Sequence, residues 1–562
     1  MEQEDRPSKR VKLSAIDHPE PTEATPTAVA NGLASLHRAI TPPPSSRPRR
    51  ESSVPQTSIQ PAEFASRRPH LIPSPIQLTR IRDLSAASGN NVDTVRLKDI
   101  LGDPMIRECW QFNFLFDVDF LMSQFDEDVR RLVQVKVVHG SWKKDAPNRI
   151  RIEEACPRHP NVEAITAYMP EPFGTHHSKM MILLRHDDLA QVVIHTANMI
   201  PGDWANMCQA VWRSPLLPLR KTEREPEGPG VIGSGARFKR DLLAYLNEYG
   251  VKKTGPLVRQ LERFDFSAVR AALIASVPSK QRLNSLDSQK KTLWGWPALK
   301  DATRQIPLTP KGESHTGPSH IVTQISSIAS LGQTDKWLKD VFFASLSPTS
   351  TASIPQPKYS IIFPTPDEIR RSLNGYGSGG SIHMKLQSAT QQKQLQYMRP
   401  YLRHWAGDSD SSSTSTPQRE AGRRRAAPHI KTYIRFSDAE KMDTIDWAMV
   451  TSANLSTQAW GAAVNNAGEV RISSWEIGVM VWPQLFVQED NTAERHQQAV
   501  MVPCFKRDIP QHPPEDMPEC DILVGLRLPY DLPLTSYKAN EVPWCATTAH
   551  TEPDWLGQTW EG

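Results

Sequence analysis

Long hydrophobic runs are missing from this sequence of 562 residues. No stretch approaches the roughly 18 apolar residues of a membrane-spanning helix, and the opening residues MEQEDRPSKR lack the pattern of a secretory signal peptide. Hydrophobic residues make up 38% of the chain and the mean hydropathy is −0.49. This composition is typical of a soluble protein with disordered parts, so we expect no membrane association.

Cysteine is scarce, and strong net charge is absent. The six cysteines form no C-x-x-C pair, which argues against a structural zinc site and predicts a reducing compartment. The net charge of +4 is only mildly basic, so charge alone does not identify a nucleic-acid partner. The cysteines are Cys109, Cys156, Cys208, Cys504, Cys520 and Cys545.

Aromatic residues are nearly absent from the first 90 positions. Residues 1–90 hold 13 of the 48 prolines and one aromatic residue, Phe64, whereas all 15 tryptophans lie beyond. Such a segment cannot bury enough apolar surface to offset its ordering entropy, so we predict a disordered tail. Its basic cluster RPSKRVKL, residues 6–13, favours a nuclear import signal over a solvated charge run in a tail.

Two short apolar runs carry the first candidate site. Met180–Leu184 and Gln191–Ile194 are bounded by polar residues and are too short for helices, so we interpret them as buried strands. His177 and Lys179 precede the first run, and their two-residue spacing places both side chains on one face of a strand. The second run leads into the sequence TAN, ending at Asn198. An imidazole, an ammonium group and an amide without a carboxylate predict an anion site.

The same pattern returns in the second half of the chain. His429 and Lys431 precede another apolar strand, and a following strand leads to the sequence TSAN, ending at Asn454. At so wide a spacing the repeat predicts a duplicated α/β domain and not a solenoid. A third H-x-K match, at His383 and Lys385, is followed by a polar, helix-favouring stretch. We interpret the third match as accidental.

Composition suggests the boundaries of the two halves. We predict a first domain over residues 91–280, closed by a strand at Ala271–Val277, and a second domain over residues 281–562. Residues 407–427 are first acidic and serine-rich, then arginine-rich, which predicts a disordered insertion in the second domain. Because the run Arg423–Arg425 ends four residues before His429, we expect it to lie near a bound polyanion.

These side chains can perform phosphodiester hydrolysis. The reaction needs a nucleophile, neutralisation of the phosphoryl oxygens and a proton for the leaving oxygen. Two histidines can divide the first and third tasks if one is neutral and the other protonated, while two lysines and two asparagines supply hydrogen-bond donors. Lysine charges act strongly in a water-poor cleft. These residues suffice without a cofactor, and no acidic cluster with magnesium spacing stands out.

The motifs resemble those of the phospholipase D superfamily. That superfamily normally carries an aspartate five residues after the lysine, where this chain has Leu184 and Phe436. Its replacement by asparagines at the end of the next strand resembles the tyrosyl-DNA phosphodiesterase family. The resemblance extends over about residues 97–545 through FDVDF, FGTHHSKMM, VVIHTAN, SSIASLG, GYGSGGSI, PHIKTYIR, VTSANLS and SWEIGV. It implies two similar α-β-α sandwich domains related by pseudo-twofold symmetry.

The resemblance also implies roles for individual residues. His177 would attack phosphorus and form a phosphohistidine, and His429 would protonate the departing tyrosine and then activate water. Glu476 would support His177 and Gln209 would support His429, each from the opposite half, because a histidine must present one particular nitrogen. The phosphoryl group would be held by Lys179, Lys431, Asn198 and Asn454.

The resemblance further implies how DNA is bound. Phe173 would stack on a base, a sequence-tolerant contact worth about 1–3 kcal/mol. Five serines would contact backbone phosphates without reading bases, and the alternative for the serines of SSIASLG is an ordinary serine-rich turn. The serines are Ser326, Ser327, Ser330, Ser381 and Ser456.

The sequence therefore predicts a nuclear, monomeric hydrolase. It would remove tyrosyl peptides of a trapped type IB topoisomerase, and other adducts, from DNA 3′ ends. Two alternatives remain: a phospholipase or general nuclease on the same fold, and a non-catalytic DNA-binding scaffold. The missing motif aspartates argue against a lipase, and the histidines, lysines and asparagines retained in both halves argue against a scaffold.

Overall fold

A computed structural model of the chain describes residues 68–562 apart from 222–229, 284–288, 290, 309–316, 348–354, 407–418, 488–496 and 512–519. The strands within the described residues are β1 (His70–Ile72), β2 (Ile76–Leu78), β3 (Ile106–Phe112), β4 (Gln134–His139), β5 (Val162–Thr166), β6 (Met180–Arg185), β7 (Leu189–His195), β8 (Met207–Cys208), β9 (Ala210–Arg213), β10 (Leu217–Pro218), β11 (Ala272–Ser276), β12 (Ser279–Arg282), β13 (His320–Gln324), β14 (Lys358–Ile362), β15 (Leu402–Arg403), β16 (Ala427–Pro428), β17 (Thr432–Phe436), β18 (Ile445–Thr451), β19 (Glu469–Ile472), β20 (Glu476–Val481), β21 (Ala499–Cys504) and β22 (Ile522–Arg527).

The α-helices of the same residues are α1 (Leu97–Leu101), α2 (Val118–Ser123), α3 (Pro147–Ala155), α4 (Pro201–Ala205), α5 (Gly235–Asn247), α6 (Val251–Leu261), α7 (Gly295–Gln305), α8 (Ala344–Leu346), α9 (Pro366–Arg370), α10 (Ala389–Met398) and α11 (Thr457–Trp460). Within this part of the chain, none of the helices combines the length and apolarity needed to cross a bilayer.

Two sheets repeat one strand order. The first contains β5-β4-β3-β6-β7-β9, and the second contains β15-β14-β13-β17-β18-β20. Within each of these six-strand series the first three strands pair in parallel and the other pairs are antiparallel. The repeat confirms the predicted α/β fold with two similar halves.

Strand β6 shows why the first sheet is buried on both faces. Met180, Ile182 and Leu184 belong to one hydrophobic core together with residues of α5 and α6. Met181 and Leu183 belong to a second core with residues of α1, α2 and α3. This alternation is the two-residue period of a strand, so helices cover both faces of the first sheet in an α-β-α sandwich.

The strands predicted around the H-x-K motifs are confirmed. β6 and β7 run antiparallel from Met180↔Ile194 to Leu184↔Ala190, and β17 and β18 run antiparallel from Thr432↔Val450. In an antiparallel pair, the residues before one strand lie beside the residues after the other. Each H-x-K motif therefore lies at the same end of the strands as the asparagine motif of its own half.

Two predicted boundaries are wrong. Strand β11, expected to close the first domain, pairs antiparallel with β20 in the second sheet, from Ala272↔Met480 to Ser276↔Glu476. Residues 68–90, expected in the disordered tail, include β1, which pairs with β22, and β2, which pairs with β9. The apolar side chains of Ile76, Leu78 and Ile81 in this segment are buried, and this packing holds the segment on the folded domain. Residues 1–67, including the basic cluster, lie outside the described residues.

The arginine-rich end of the predicted insertion is folded. Residues 407–418 lie outside the described residues, but the three arginines of the run all have protein partners. Arg423 is buried and donates to the carbonyl of Thr79 at 2.8 Å, Arg424 donates to Asp531 at 2.5 Å, and the guanidinium of Arg425 lies 5.2 Å from the ring centre of Trp555. The prediction that these arginines belong to a disordered insertion is therefore wrong, whereas their proximity to a bound polyanion stays a prediction.

The GYGSGGSI segment is a packed turn. Residues Gly375–Ser381 form a 3-10 helix. A Cβ atom at Gly379 would lie 2.2 Å from the buried ring of Trp544, whose Nε1 donates to the carbonyl of Gly379 at 3.0 Å. The glycine thus allows close approach of the tryptophan.

Candidate active site

The two H-x-K motifs are held by main-chain contacts from the opposite halves. The amides of His429 and Ile430 donate to the carbonyl of Cys208 at 3.2 and 2.8 Å, beside the parallel pairing of β16 with β8. In the other direction, the amide of His177 donates to the carbonyl of Trp475 at 2.9 Å. These reciprocal contacts bring two histidines that are distant in sequence into one site.

Electrostatic coupling across the halves supports a single site. Burial holds the pKa of His429 well below its usual value, and the charges of Lys431, Lys179 and His177 lower it further. Burial also lowers the pKa of His177, followed by the effect of Lys179. Charges from the first half therefore act directly on the imidazole of the second.

The imidazole of His177 has two acceptors at Nδ1. This nitrogen donates to the carbonyl of Ser452 at 2.9 Å and to Oε2 of Glu476 at 3.1 Å. Glu476 is in turn oriented by the hydroxyl of Ser452, which donates to Oε2 at 2.5 Å. Two acceptors favour the proton on Nδ1, so the neutral ring carries its lone pair on Nε2. Nε2 has no hydrogen-bond partner within the described chain, which suits a nucleophile.

The imidazole of His429 has both a donor and an acceptor near Nδ1. Nε2 of Gln209 lies 3.0 Å away, and two acceptors, Oε1 of Gln209 and Oδ2 of Asp203, each lie 3.3 Å away. The hydroxyl of Thr196 orients the amide of Gln209 by donating to its Oε1 at 2.7 Å. The neutral ring can accept from Gln209, and the protonated ring can donate to Asp203. Partners for both protonation states suit a group that donates and then accepts a proton.

Both motif lysines are fully buried. Lys179 donates to the carbonyl of the histidine two residues before it at 3.2 Å, and Lys431 makes the equivalent contact. Burial lowers the pKa of Lys179 to about 8, opposed by Glu476 and Asp203. Burial and the charge of Lys179 hold the pKa of Lys431 well below its usual value. A phosphoryl anion between them would favour both charged forms.

The two motif asparagines are held differently. Oδ1 of Asn454 accepts from the amides of Ser326 and Ser327 at 3.1 and 2.9 Å, which leaves its Nδ2 as the donor for a ligand. The main-chain N–H of Asn198 donates to Oδ2 of Asp203 at 2.6 Å, and the buried side-chain Oδ1 of Asn198 has no partner within the described chain. The asparagine of the second half is therefore the more firmly oriented of the two.

The predicted phosphate-binding serines differ in their contacts. The main-chain amides of Ser326 and Ser327 orient Asn454. The hydroxyl of Ser456 caps α11 by accepting from the amide of Ala459 at 3.0 Å. Ser330 is exposed and Ser381 is half-buried. Phosphate contacts of the five serines remain predictions, and Ser326 is the most deeply buried of the five.

The aromatic side chains around His177 were only partly identified from sequence. Phe173 is 82% exposed, as a side chain that stacks on a ligand must be. Phe114, which follows β3, is 37% exposed. Its ring centre lies 5.5 Å from that of His177 and 6.0 Å from Nζ of Lys179. Its position after the central strand of the sheet could have indicated a place at the site.

His383 also lies at the site. The third H-x-K motif opens no strand of the β6 type, but the charge of His383 contributes to the low pKa of His429. The amide of His383 donates to the carbonyl of Ser326 at 3.0 Å, beside the turn that orients Asn454. The match is accidental as a motif, yet long-range pairing with Ser326 places this histidine near the reacting groups.

Metal-ligating side chains do not cluster in the described part of the chain: no three His, Cys, Asp or Glu residues there could hold one ion. The charges facing the candidate phosphoryl position come instead from Lys179 and Lys431, with Glu476 and Asp203 opposing them.

Comparison with known proteins identifies relatives of this chain. The family model described as tyrosyl-DNA phosphodiesterase matches residues 75–538. A probable tyrosyl-DNA phosphodiesterase of Schizosaccharomyces pombe is 31% identical, covering 87% of this chain and 96% of the relative. Tyrosyl-DNA phosphodiesterase 1 of Drosophila melanogaster is 29% identical, covering 86% of this chain and 76% of the relative.

Solved structures share the fold. The crystal structure of the yeast tyrosyl-DNA phosphodiesterase superposes with a TM-score of 0.57 at 21% identity, covering 84% of this chain and 98% of that chain. The resemblance stated from the motifs is thus confirmed by the family model and by relatives along most of the sequence. The chain belongs to the tyrosyl-DNA phosphodiesterase family and is a phosphodiesterase.

Proposed function

We propose that this chain hydrolyses the bond between a DNA 3′-phosphate and a tyrosine side chain through a covalent phosphohistidine. The observation that carries the proposal is the contrast between two imidazoles in one site. His177 has acceptors at Nδ1, whereas His429 has a donor and an acceptor there. One ring is suited to attack and the other to exchange protons.

The first step forms the covalent intermediate. Nε2 of His177 attacks phosphorus as the bond from phosphorus to the tyrosine oxygen breaks. The protonated ring of His429 gives its Nε2 proton to that oxygen, so tyrosine leaves as the neutral phenol. Glu476 and the carbonyl of Ser452 accept from Nδ1 of His177, and this contact strengthens as the ring gains positive charge.

The second step releases the DNA. His429, now neutral, takes a proton from a water molecule whose oxygen attacks phosphorus. The bond between phosphorus and Nε2 of His177 breaks, which leaves a 3′-phosphate and restores both rings. Lys179 and Lys431 neutralise the phosphoryl oxygens throughout, and they act strongly because both are buried.

The substrates follow from the family and from the exposed surface near His177. Relatives named tyrosyl-DNA phosphodiesterase support DNA carrying a 3′-phosphotyrosyl group, and peptides of a trapped type IB topoisomerase are the tyrosyl partners we propose. Other 3′ adducts fit the same phosphoryl chemistry. The basic cluster at residues 6–13 supports a nuclear site of action, and the protein would act as a monomer.

The proposal is tested on a labelled 3′-phosphotyrosyl oligonucleotide. In excess EDTA, wild-type protein is expected to convert it to the 3′-phosphate, because the side chains described above supply the nucleophile, the acid and base, and the positive charge. Electrophoretic mobility measures the conversion. A matched reaction with magnesium is the control, and cleavage that is lost in EDTA and restored by magnesium would contradict the proposal.

The alternative functions are distinguished in the same assay. Hydrolysis of phosphatidylcholine vesicles, with the oligonucleotide left intact, would identify a lipase. Progressive cleavage of an unmodified oligonucleotide would identify a general nuclease. Tight binding of the 3′-tyrosyl oligonucleotide without cleavage would identify a scaffold.

Phe173 provides a test of the DNA side of the site. Phe173→Ala is expected to raise KM for a single-stranded 3′-tyrosyl oligonucleotide roughly 5- to 150-fold, because stacking on a base contributes about 1–3 kcal/mol. The change in kcat should be small, since Phe173 makes no contact with His177 or His429 that would orient them. Steady-state kinetics on oligonucleotides of increasing length measure both constants.

Leu132→Ala is the matched control for this substitution. Leu132 is also largely exposed, but it precedes β4 and therefore lies at the opposite end of the strands from the site. It should leave KM unchanged. An unchanged KM in Phe173→Ala would contradict the stacking role.

A further inference from the structure

Asp203 occupies a position beside His429 that the motifs do not indicate. It lies in α4, is 1% exposed, and accepts from the amide of Asn198 at 2.6 Å. The same oxygen, Oδ2, lies 3.3 Å from Nδ1 of His429 and 3.3 Å from Nε2 of Gln209. Among the described residues, this is the carboxylate within ion-pair distance of His429.

The two halves supply their carboxylates from different elements. Glu476 begins β20 and contacts His177, whereas the equivalent position before β9 is Gln209, a neutral amide. The charge missing at Gln209 is supplied by Asp203, from the helix that follows the asparagine motif. Ala459, which occupies the corresponding place after Asn454, carries no charge. Each imidazole thus faces one carboxylate, supplied by strand β20 in one case and by helix α4 in the other.

The surroundings of His429 otherwise oppose its protonation. Its ring is buried, and the charges acting on it include those of Lys431, Lys179, His177 and His383, all of which lower its pKa. A general acid must nevertheless be protonated before the leaving group departs. A carboxylate at Nδ1 offsets the two ammonium groups and accepts the Nδ1 proton.

Asp203 is able to carry this charge at neutral pH. Burial raises its pKa to about 6, and the amide of Asn198 together with Lys179 and Lys431 opposes the rise. The carboxylate is therefore ionised around pH 7 and above. Its contact with the amide of Asn198 keeps Oδ2 directed toward the imidazole.

We propose that Asp203 is a positioning residue that stabilises the protonated form of His429 in both proton transfers, an inference that rests on the proposed function. Gln209 stabilises the neutral ring by donating to Nδ1, and Asp203 stabilises the protonated ring by accepting from it. The pair allows one histidine to serve as the acid in the first step and as the base in the second.

The experiment measures the two steps separately. A 3′-(p-nitrophenyl phosphate) oligonucleotide has a good leaving group, so formation of the covalent adduct needs little help from an acid. In Asp203→Asn, the burst of p-nitrophenol should be unchanged within about a factor of two, whereas breakdown of the adduct should slow roughly tenfold or more. The matched control is Glu476→Gln, which removes the other carboxylate and should slow the burst instead.

The pH dependence distinguishes this role from a merely structural one. Removing the charge of Asp203 lowers the pKa of His429. The acidic limb of the pH–rate profile for adduct breakdown, where His429 loses its proton, should therefore move to lower pH by about one unit. Gln209→Leu removes the donor to the neutral ring, so the same limb should move to higher pH. Asp203→Glu, which keeps the charge, should restore breakdown in part.

The outcomes separate this inference from the proposed function. If wild-type protein forms no adduct and releases no tyrosine, the proposed function is wrong. If wild-type protein is active, and Asp203→Asn breaks down the adduct at the wild-type rate with the wild-type pH–rate profile, then the role proposed for Asp203 is wrong. If Asp203→Asn does not fold, the pH–rate profile of adduct breakdown in Gln209→Leu provides the test. An acidic limb of that profile that stays in place or moves to lower pH would overturn the inference.

Discussion

His177→Ala is expected to abolish cleavage of the 3′-phosphotyrosyl oligonucleotide, with a rate loss on the order of 10⁴-fold or more. The substitution removes the nitrogen that we propose bonds to phosphorus. His429 is poorly suited to take over, because the amide of Gln209 donates to its Nδ1 and directs its proton to Nε2. Single-turnover cleavage and a denaturing gel for protein–DNA adducts measure the two consequences.

His186→Ala is the matched control for the loss of a histidine. His186 is exposed in the turn between β6 and β7, at the sheet edge away from the H-x-K motif. It should retain wild-type cleavage. A His177→Ala protein that is folded and still forms a covalent adduct would show that another residue is the nucleophile.

His429→Ala is expected to trap the covalent intermediate. With a p-nitrophenyl leaving group, adduct formation should persist, whereas its hydrolysis should slow by about 10²- to 10⁴-fold, the range usual for a general base. The adduct forms because His177 keeps its Nδ1 contacts with Glu476 and Ser452, which do not involve His429. A stable, DNA-linked band in a denaturing gel, with its decay followed over time, measures the effect.

The leaving group provides the internal control for this variant. With tyrosine in place of p-nitrophenol, adduct formation in His429→Ala should slow as well, because a poorer leaving group needs the proton. If His429→Ala accumulates no adduct with either substrate while His177→Ala does, the roles of the two histidines are reversed.

Local sequence determined the strands and their motifs. A two-residue spacing on a strand decides by itself which side chains share a face, so His177 with Lys179 and His429 with Lys431 could be predicted before any fold was known. The apolar runs that follow them became β6 and β17, since both are buried on two faces. The duplicated fold followed from the repeat of the whole pattern.

Contacts between distant segments could not be predicted in the same way. Glu476 and His177 are 299 residues apart, and Gln209 and His429 are 220 residues apart, so no local pattern could predict these pairs. Only the family resemblance implied them. The folding of Arg423 against Thr79 contradicted an expectation based on composition. A run of arginines is equally compatible with an exposed patch and with buried partners, and only the partners decide.

The sequence by itself determined that this chain has two similar halves, each with an imidazole, a lysine and an amide at one strand edge, and that together they suit a phosphodiester. Only the tertiary structure decided how the two imidazoles differ, through two acceptors at His177 against a donor and Asp203 at His429. The physical reason is that strand periodicity is a property of neighbouring residues, whereas the protonation state of a buried ring depends on groups that folding brings from elsewhere.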